Sequence, residues 1–163
     1  MTRIGILSDT HGWWDERYLE YFEPCDEIWH AGDIGTLDVA RRLAQFRPMR
    51  AVCGNADGSD LRALYPNMSR FRVEEVDVLL KHIGGYPQYY DRSVRRILCE
   101  QPPQLFVCGH SHILKVQFDP ALRLLHINPG AAGRQGWQQV RTLVRLVIDG
   151  AAMHDLEVIE LAD

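Results

Sequence analysis

Short apolar runs of strand length alternate along this chain with amphipathic stretches of helix length. Arg3 to Ser8, Glu27 to Ala31, Met49 to Cys53, Val76 to His82 and Gln104 to Cys108 read as strands. Between them, apolar positions recurring every three or four residues predict helices near Asp15 to Phe22, Thr36 to Phe46 and Asp91 to Glu100. Strands and helices in alternation imply strand-helix units with a mainly parallel sheet, so the fold class is α/β. The last third changes character. There, Ile113 to Phe118, Leu122 to Ile127, Val140 to Ile148 and Met153 to Leu161 predict antiparallel strands, with turns at Asp119-Pro120 and Asp149-Gly150. No repeat, low-complexity tract or Ser/Gly-rich linker divides the two parts. The expected architecture is two mixed sheets packed as a sandwich inside one domain, residues 1–163, with helices on the outer faces.

Composition narrows the class of function. With 163 residues, 46% of them hydrophobic, the chain is long enough to bury a core without disulfides or a structural metal. No run approaches the roughly 18 consecutive apolar residues of a membrane span, so neither anchoring nor export is expected. The four cysteines, Cys25, Cys53, Cys99 and Cys108, follow no metal-finger spacing, and two lie in apolar runs where cysteine acts as a small hydrophobe. A reducing cytoplasm is the expected location. Eighteen basic against twenty-two acidic residues give a net charge of −4, which offers no general field for nucleic acid, and no stable nucleic-acid binding is expected. Bound divalent ions would still attract phosphate at one spot.

The chemistry sits at strand ends. Asp9-Thr10-His11, Gly32-Asp33, Gly54-Asn55, His82 and Gly109-His110-Ser111-His112 each lie at or just past the end of a predicted strand. Ligands in open α/β sheets bind beyond the carboxyl ends of the strands, so residues far apart in sequence converge there. From Asp9 through Asp33, Asn55 and His82 to His110 the separations are 24, 22, 27 and 28 residues, the cadence of successive strand-helix units. Carboxylate, imidazole and amide oxygen are donors for Mn, Fe, Zn, Co or Ni ions, not for a thiolate site. Seven side chains exceed what one ion uses and suit two ions sharing a carboxylate, the arrangement that clamps both oxygens in phosphoryl hydrolysis. Gly32, Gly54 and Gly109 each directly precede a donor, where a missing Cβ permits a tight turn out of the strand.

The ordered set Asp-x-His, Gly-Asp, Gly-Asn, His and Gly-His-x-His resembles the calcineurin-like metallophosphoesterase superfamily over residues 5 to 133. Asn128-Pro129-Gly130 resembles its small prokaryotic phosphodiesterase subgroup. The resemblance implies a pair of mixed sheets flanked by helices and a small phosphate-ester substrate, a phosphodiester or monoester. It implies two divalent transition-metal ions, manganese first, with iron, zinc, nickel or cobalt as alternatives. Asp9, His11, Asp33 and His112 would hold the first ion, and Asp33, Asn55, His82 and His110 the second, with a hydroxide shared between them as nucleophile. Asp33, Asn55 and His110 are then the catalytic residues, acting through the metals. A homodimer is also implied. Two departures stand out. Many relatives carry a histidine after the Gly-Asn asparagine as general acid, but this chain has Ala56 and then Asp57, which leaves the acid unassigned and Asp57 as its candidate. Relatives also place glycine directly after the ligand histidine, whereas Ile83 follows His82.

Plainer readings exist for single residues. Asp9 or Asp33 alone would serve as a helix cap, Asn55 as a turn residue, and Asp57 as a cap for a helix starting near Ser59. His30, His126 and His154 lie inside predicted strands and read as structural, with His30 in reach of orienting a ligand. Trp13 and Trp14 wall a pocket or pack a helix edge, and Arg134 meets a phosphate or water. The rival to catalysis is a non-catalytic scaffold or interaction module, since a retromer scaffold subunit uses the same fold. A scaffold has no need for seven metal-type donors.

Overall fold

β1 (Thr2–Leu7) is apolar on both faces because both are covered. Ile4 and Ile6 enter the space between two sheets, while Leu7 faces an outer helical layer. Gly5 leaves room for the Phe22 ring, since a Cβ there would fall 2.6 Å from it. The computed structural model describes residues 1–162. On one side β1 pairs in parallel with β2 (Glu27–His30), which pairs in parallel with β3 (Met49–Ala51). On the other side β11 (Arg141–Asp149) lies antiparallel to β1 and carries β12 (Ala152–Leu161) at the edge. The first sheet therefore runs β12-β11-β1-β2-β3.

The second sheet contains β4 (Met68–Val73), β5 (Val76–Lys81), β8 (Leu105–Val107), β9 (Lys115–Asp119) and β10 (Leu124–Asn128) in the order β4-β5-β8-β10-β9. Its central pairs, β5 with β8 and β8 with β10, are parallel, and its outer pairs are antiparallel. A two-stranded hairpin, β6 (Gly85–Tyr86) with β7 (Tyr89–Tyr90), stands apart. The two mixed sheets expected from the sequence are thus present, with the parallel pairs confined to the centre of the second sheet and to β1-β2-β3 of the first.

Alternation along each strand sorts side chains between layers. Val76, Val78, Leu80, Leu105, Val107 and Ile127 meet Ile4, Ile6, Trp29, Val144 and Leu146 between the sheets. The opposite faces take helices. Tyr18 and Phe22 of α1 (Arg17–Phe22) and Val39, Ala40 and Leu43 of α2 (Leu37–Phe46) cover the first sheet. Val94 and Leu98 of α4 (Arg92–Glu100) cover Leu79 and Phe106 of the second. Each such large apolar side chain contributes about 1.5–3 kcal/mol when removed from water. α3 (Ser59–Leu64) inserts only Leu61.

Helix starts follow cap chemistry. Thr36 Oγ1 accepts from the Val39 N–H at 3.3 Å, and Asp91 accepts from the Ser93 N–H at 2.9 Å. β4 has no counterpart among the expected strands, because Arg70 and Arg72 break its apolar run on the exposed face. The expected strand from Ile113 starts only at Lys115, and Ile113 and Leu114 are exposed ahead of it. No helix among the described residues is long and apolar enough to cross a membrane.

Two histidines tie this packing to pH. His126, on the outer face of β10, is buried beside the Tyr90 and Phe106 rings, and neither of its nitrogens has a hydrogen-bond partner among the described residues. Burial, with Lys115 nearby, pushes it down to about 4, and burial does the same to His30. A histidine depressed in the folded state adds stability that is complete above its unfolded value, near 6.5, and is lost as pH falls toward 4. Two and a half pH units correspond to about 3 kcal/mol per histidine in the acid limit, of which about 2 kcal/mol is lost by pH 5. Urea unfolding at pH 7 and pH 5 isolates the His126 part. Wild type should lose about 2 kcal/mol more than His126→Phe over that interval, and equal losses would show that His126 is not held neutral.

Candidate metal centre

Five strand ends deliver the proposed donors to one cleft between the sheets. Asp9 and His11 follow β1, Asp33 follows β2, and Asn55 follows β3. His82 follows β5, and His110 and His112 follow β8. Asp9, His11 and His112 place one ligand atom each within 4.8 Å of one another, and Asp33, His82 and His110 form a second such group. The groups touch: Asp33 Oδ2 lies 3.1 Å from His82 Nε2 and 3.5 Å from His11 Nε2. Asp9 Oδ1 lies 3.2 Å from His112 Nε2 and 3.6 Å from His11 Nε2. Asn55 Oδ1 reaches His110 Nδ1 at 3.1 Å. All seven residues are therefore brought together.

Each carboxylate is held by one oxygen and presented by the other. Asp9 Oδ2 accepts from Ser8 Oγ at 2.7 Å and from the His110 N–H at 3.1 Å, which turns Oδ1 toward the imidazoles. Asp33 Oδ1 accepts from the Ala56 N–H at 2.9 Å, which turns Oδ2 toward His11 and His82. Neither aspartate caps a helix. The backbone itself is strained: φ is 55° at Asp9, 45° at His11, 55° at Asp33, 74° at His110 and 64° at His112. Left-handed conformations cost these residues on the order of 1 kcal/mol each or more and persist where neighbours over-determine them. Here bonds between the first two strand-end loops do so, from the His11 N–H to Asp33 O at 2.9 Å and from the Gly12 N–H to Ile34 O at 2.8 Å.

The expected reason for two glycines needs correction. Neither Gly54 nor Gly109 has a positive φ, so a tight turn is not what requires them. A Cβ on Gly54 would collide with Asp33, and one on Gly109 would collide with Ser8 and come within 2.7 Å of Asp9 Oδ2. They clear space for the carboxylates.

The residues fit a pair of cations. Asp9 Oδ1, His11 Nε2 and His82 Nε2 are buried with no hydrogen-bond partner among the described residues. A buried polar atom left unpaired costs about 1–3 kcal/mol, and three that face one another in a set of carboxylates, imidazoles and one amide define a site for divalent ions. The sequence model of the calcineurin-like phosphoesterase superfamily domain matches residues 2–151. The chain belongs to that superfamily.

Individual members place it further. A probable metallophosphoesterase of Methanothermobacter thermautotrophicus is 28% identical over 137 residues, covering 78% of this chain and 76% of its own length. Among solved structures, an archaeal phosphodiesterase superposes with a TM-score of 0.76 at 20% identity, covering 98% of this chain and 99% of its own. The zinc complex of Vps29 from Entamoeba histolytica superposes at 0.71 with 15% identity and 98% of each chain. Likeness at these identities shows a shared metallophosphoesterase fold.

Within this metallophosphoesterase, supporting residues aim the donors. His82 Nδ1 lies 2.7 Å from Ala31 O, so the ring presents Nε2 to Asp33 even though Ile83, not glycine, follows it. His112 Nδ1 bonds Gln138 Oε1 at 3.0 Å, leaving Nε2 toward Asp9. His30 Nδ1 accepts from the Gly32 N–H at 3.1 Å, while its Nε2 lies 3.0 Å from Thr10 Oγ1. That hydroxyl gives its proton to Ile34 O at 2.8 Å, so His30 donates from Nε2 and clips the first two loops together. Asn128 Nδ2 donates to Gly109 O at 3.1 Å and to Ser111 Oγ at 3.0 Å, which holds the Gly-His-Ser-His loop from below. Gln138 and Ser8 were not found by sequence reasoning, since a lone glutamine or serine carries no spacing signal.

Asp57 has another task than proton donation. Its oxygens accept from the N–H groups of Gly54 at 2.8 Å, Gly35 at 2.9 Å and Ile34 at 3.3 Å, and it is buried. Those bonds tie the loop after β3, which carries Asp57, to the loop after β2. It does not cap α3 either, which begins after Gly58 without a side-chain cap. Trp14 packs edge-on against Tyr18, whereas the half-exposed Trp13 lies under Arg134, 4.6 Å from its ring centroid. His154 is partly exposed beside Asp155, remote in its contacts from every donor.

Electrostatics follow from this packing. Burial alone would raise Asp9, but the imidazoles of His11 and His112, which face its Oδ1 at 3.6 and 3.2 Å, outweigh it and hold the carboxyl well below the usual range. Asp33 is also lowered, burial being overcome by His82. His112 is raised chiefly by Asp9, and His82 is raised by both carboxylates against its burial. The field thus favours positive charge in the cleft, and divalent ions would displace protons as they bind.

Proposed function

We propose that this chain hydrolyses phosphodiesters, and phosphomonoesters less readily, at a pair of divalent ions. The observation that carries the reading is Asp33 Oδ2, which faces histidines of both donor groups at 3.1 and 3.5 Å. Asp9, His11, Asp33 and His112 would hold one ion, and Asp33, Asn55, His82 and His110 the other. Bound there, two divalent ions supply a water of lowered pKa and neutralise phosphate charge. The chain's own residues fix the geometry: Ser8, Ala56, Ala31 and Gln138 orient the donors, and Asp57 and His30 lock the loops that carry them. Small esters suit the −4 net charge better than nucleic acid.

Protein purified without chelator and supplemented with manganese should carry about two ions per chain and turn over bis(p-nitrophenyl) phosphate. Elemental analysis and the release of nitrophenol decide it. Fewer than one ion on folded protein would overturn the two-ion site, and a full complement with no turnover on any ester would favour a scaffold like the Vps29 proteins that share the fold.

A further inference from the structure

A cavity of about 410 Å³ opens beside the metal centre, and its wall includes two of the donors, Asn55 and His82, together with Arg62 and Lys81. No acidic side chain lines it. Arg62 donates to Gly54 O at 2.8 Å, Asp57 O at 2.9 Å and Asn67 Oδ1 at 3.3 Å. Lys81 Nζ donates to Ser93 Oγ at 2.8 Å and Ile83 O at 3.0 Å. Every one of these acceptors is neutral. The nearby carboxylate of Asp91 is occupied by Ser93 at the start of α4. Elsewhere Arg17, Arg50, Arg70, Arg96 and Arg145 each face a carboxylate within 4.0 Å. Among the described residues, Arg62 and Lys81 thus converge on one hollow with no carboxylate in ion-pair contact with either, the Asp91 charge reaching Lys81 only at longer range beyond Ser93.

Resting on the phosphoesterase reading above, we infer that this hollow takes a second oxyanion, phosphate or carboxylate, carried by the alcohol portion of the ester. Asn55 and His82 form part of both sites, so an ester phosphate at the metals places its alcohol substituent against Lys81 and Arg62. The substrate class is then a phosphate ester whose alcohol bears a further negative charge, and Lys81 and Arg62 set that specificity. Both cations also brace backbone, Arg62 at Gly54 and Asp57 and Lys81 at Ile83, so the test must separate charge from bracing.

Two matched aryl phosphodiesters make the separation, one with a carboxylate on the alcohol and one with a carboxamide in the same place. For the manganese-loaded wild type, kcat/KM should favour the carboxylate ester about tenfold at low ionic strength, and the ratio should shrink with added salt as screening shortens to about 3 Å at 1 M. Lys81→Gln keeps a hydrogen-bonding side chain but no charge, so the ratio should fall toward one, and Lys81→Arg should restore it. Equal rates for the two esters in wild type, or a ratio untouched in both Lys81→Gln and Arg62→Gln, would overturn the inference. Calorimetric titration of inorganic pyrophosphate into the metal-free protein is the second readout, with weaker binding expected for Lys81→Gln. If neither ester is hydrolysed with any metal, the phosphoesterase reading falls, and equal pyrophosphate binding by wild type and Lys81→Gln would overturn the anion site separately. Equal ester rates together with Lys81-dependent pyrophosphate binding would mark a site for a free anion and overturn the substrate assignment.

Discussion

Asp33→Ala should lower metal-dependent kcat/KM by on the order of 10³-fold or more, because in the proposed site several kcal/mol of charge stabilisation would depend on a carboxylate shared by both ions. His154→Ala should stay within about twofold, as expected for a surface substitution away from the site. The contrast comes from contacts. Asp33 Oδ2 faces His11 and His82, and its Oδ1 is fixed by the Ala56 N–H at 2.9 Å. Among the described residues, His154 meets acidic neighbours on β12 and β11, Asp155 at 3.0 Å and Asp149 at 3.9 Å. Losing the Asp33 carboxylate removes a donor from the second group, a neighbour of His11 in the first, and one of the two negative charges that hold His82 raised. Metal content measured on the same samples should fall with activity. Equal metal and equal rates in the two variants would sink the assignment of Asp33 as the shared donor.

The second large effect concerns the leaving group. General acid catalysis contributes about 10²- to 10⁴-fold by protonating the departing oxygen, and at the position after Asn55 this chain offers only the Ala56 methyl group. The backbone N–H of Ala56 is already engaged at Asp33, and Asp57 spends its oxygens on three N–H groups, one in its own loop and two in the loop after β2. Rates for a series of aryl and alkyl diesters should therefore fall steeply as leaving-group pKa rises. Ala56 is exposed at the cleft, so Ala56→His has room to reach a leaving oxygen. That variant should raise alkyl-ester rates by on the order of 10²-fold and flatten the slope. Asp57→Asn should cost about 1–3 kcal/mol of stability by leaving an N–H opposed to an amide, with the wild-type slope retained. A shallow wild-type slope that steepens in Asp57→Asn would instead show that Asp57 donates the proton.

The identity and order of the seven proposed donors, which the fold brings together, were legible in the sequence itself. Each lies just past an apolar strand run, and a continuous apolar run followed by a polar break is a local pattern that a single chain displays without its neighbours. The same locality let Thr36 and Asp91 be placed at helix starts. Hydrophobic periodicity says which face of a strand is buried, though, and not which strand lies beside it. That β11 inserts against β1 while β9 and β10 complete the other sheet was decided only by tertiary packing, as all four runs read alike. The same limit governed the polar groups. Whether Asp57 gives a proton or accepts three N–H bonds, and whether Gly54 is needed for a turn or for the Asp33 carboxylate, depends on atoms brought near through space. A side chain's hydrogen-bonding capacity is written in its residue type, but its partner is chosen by the fold.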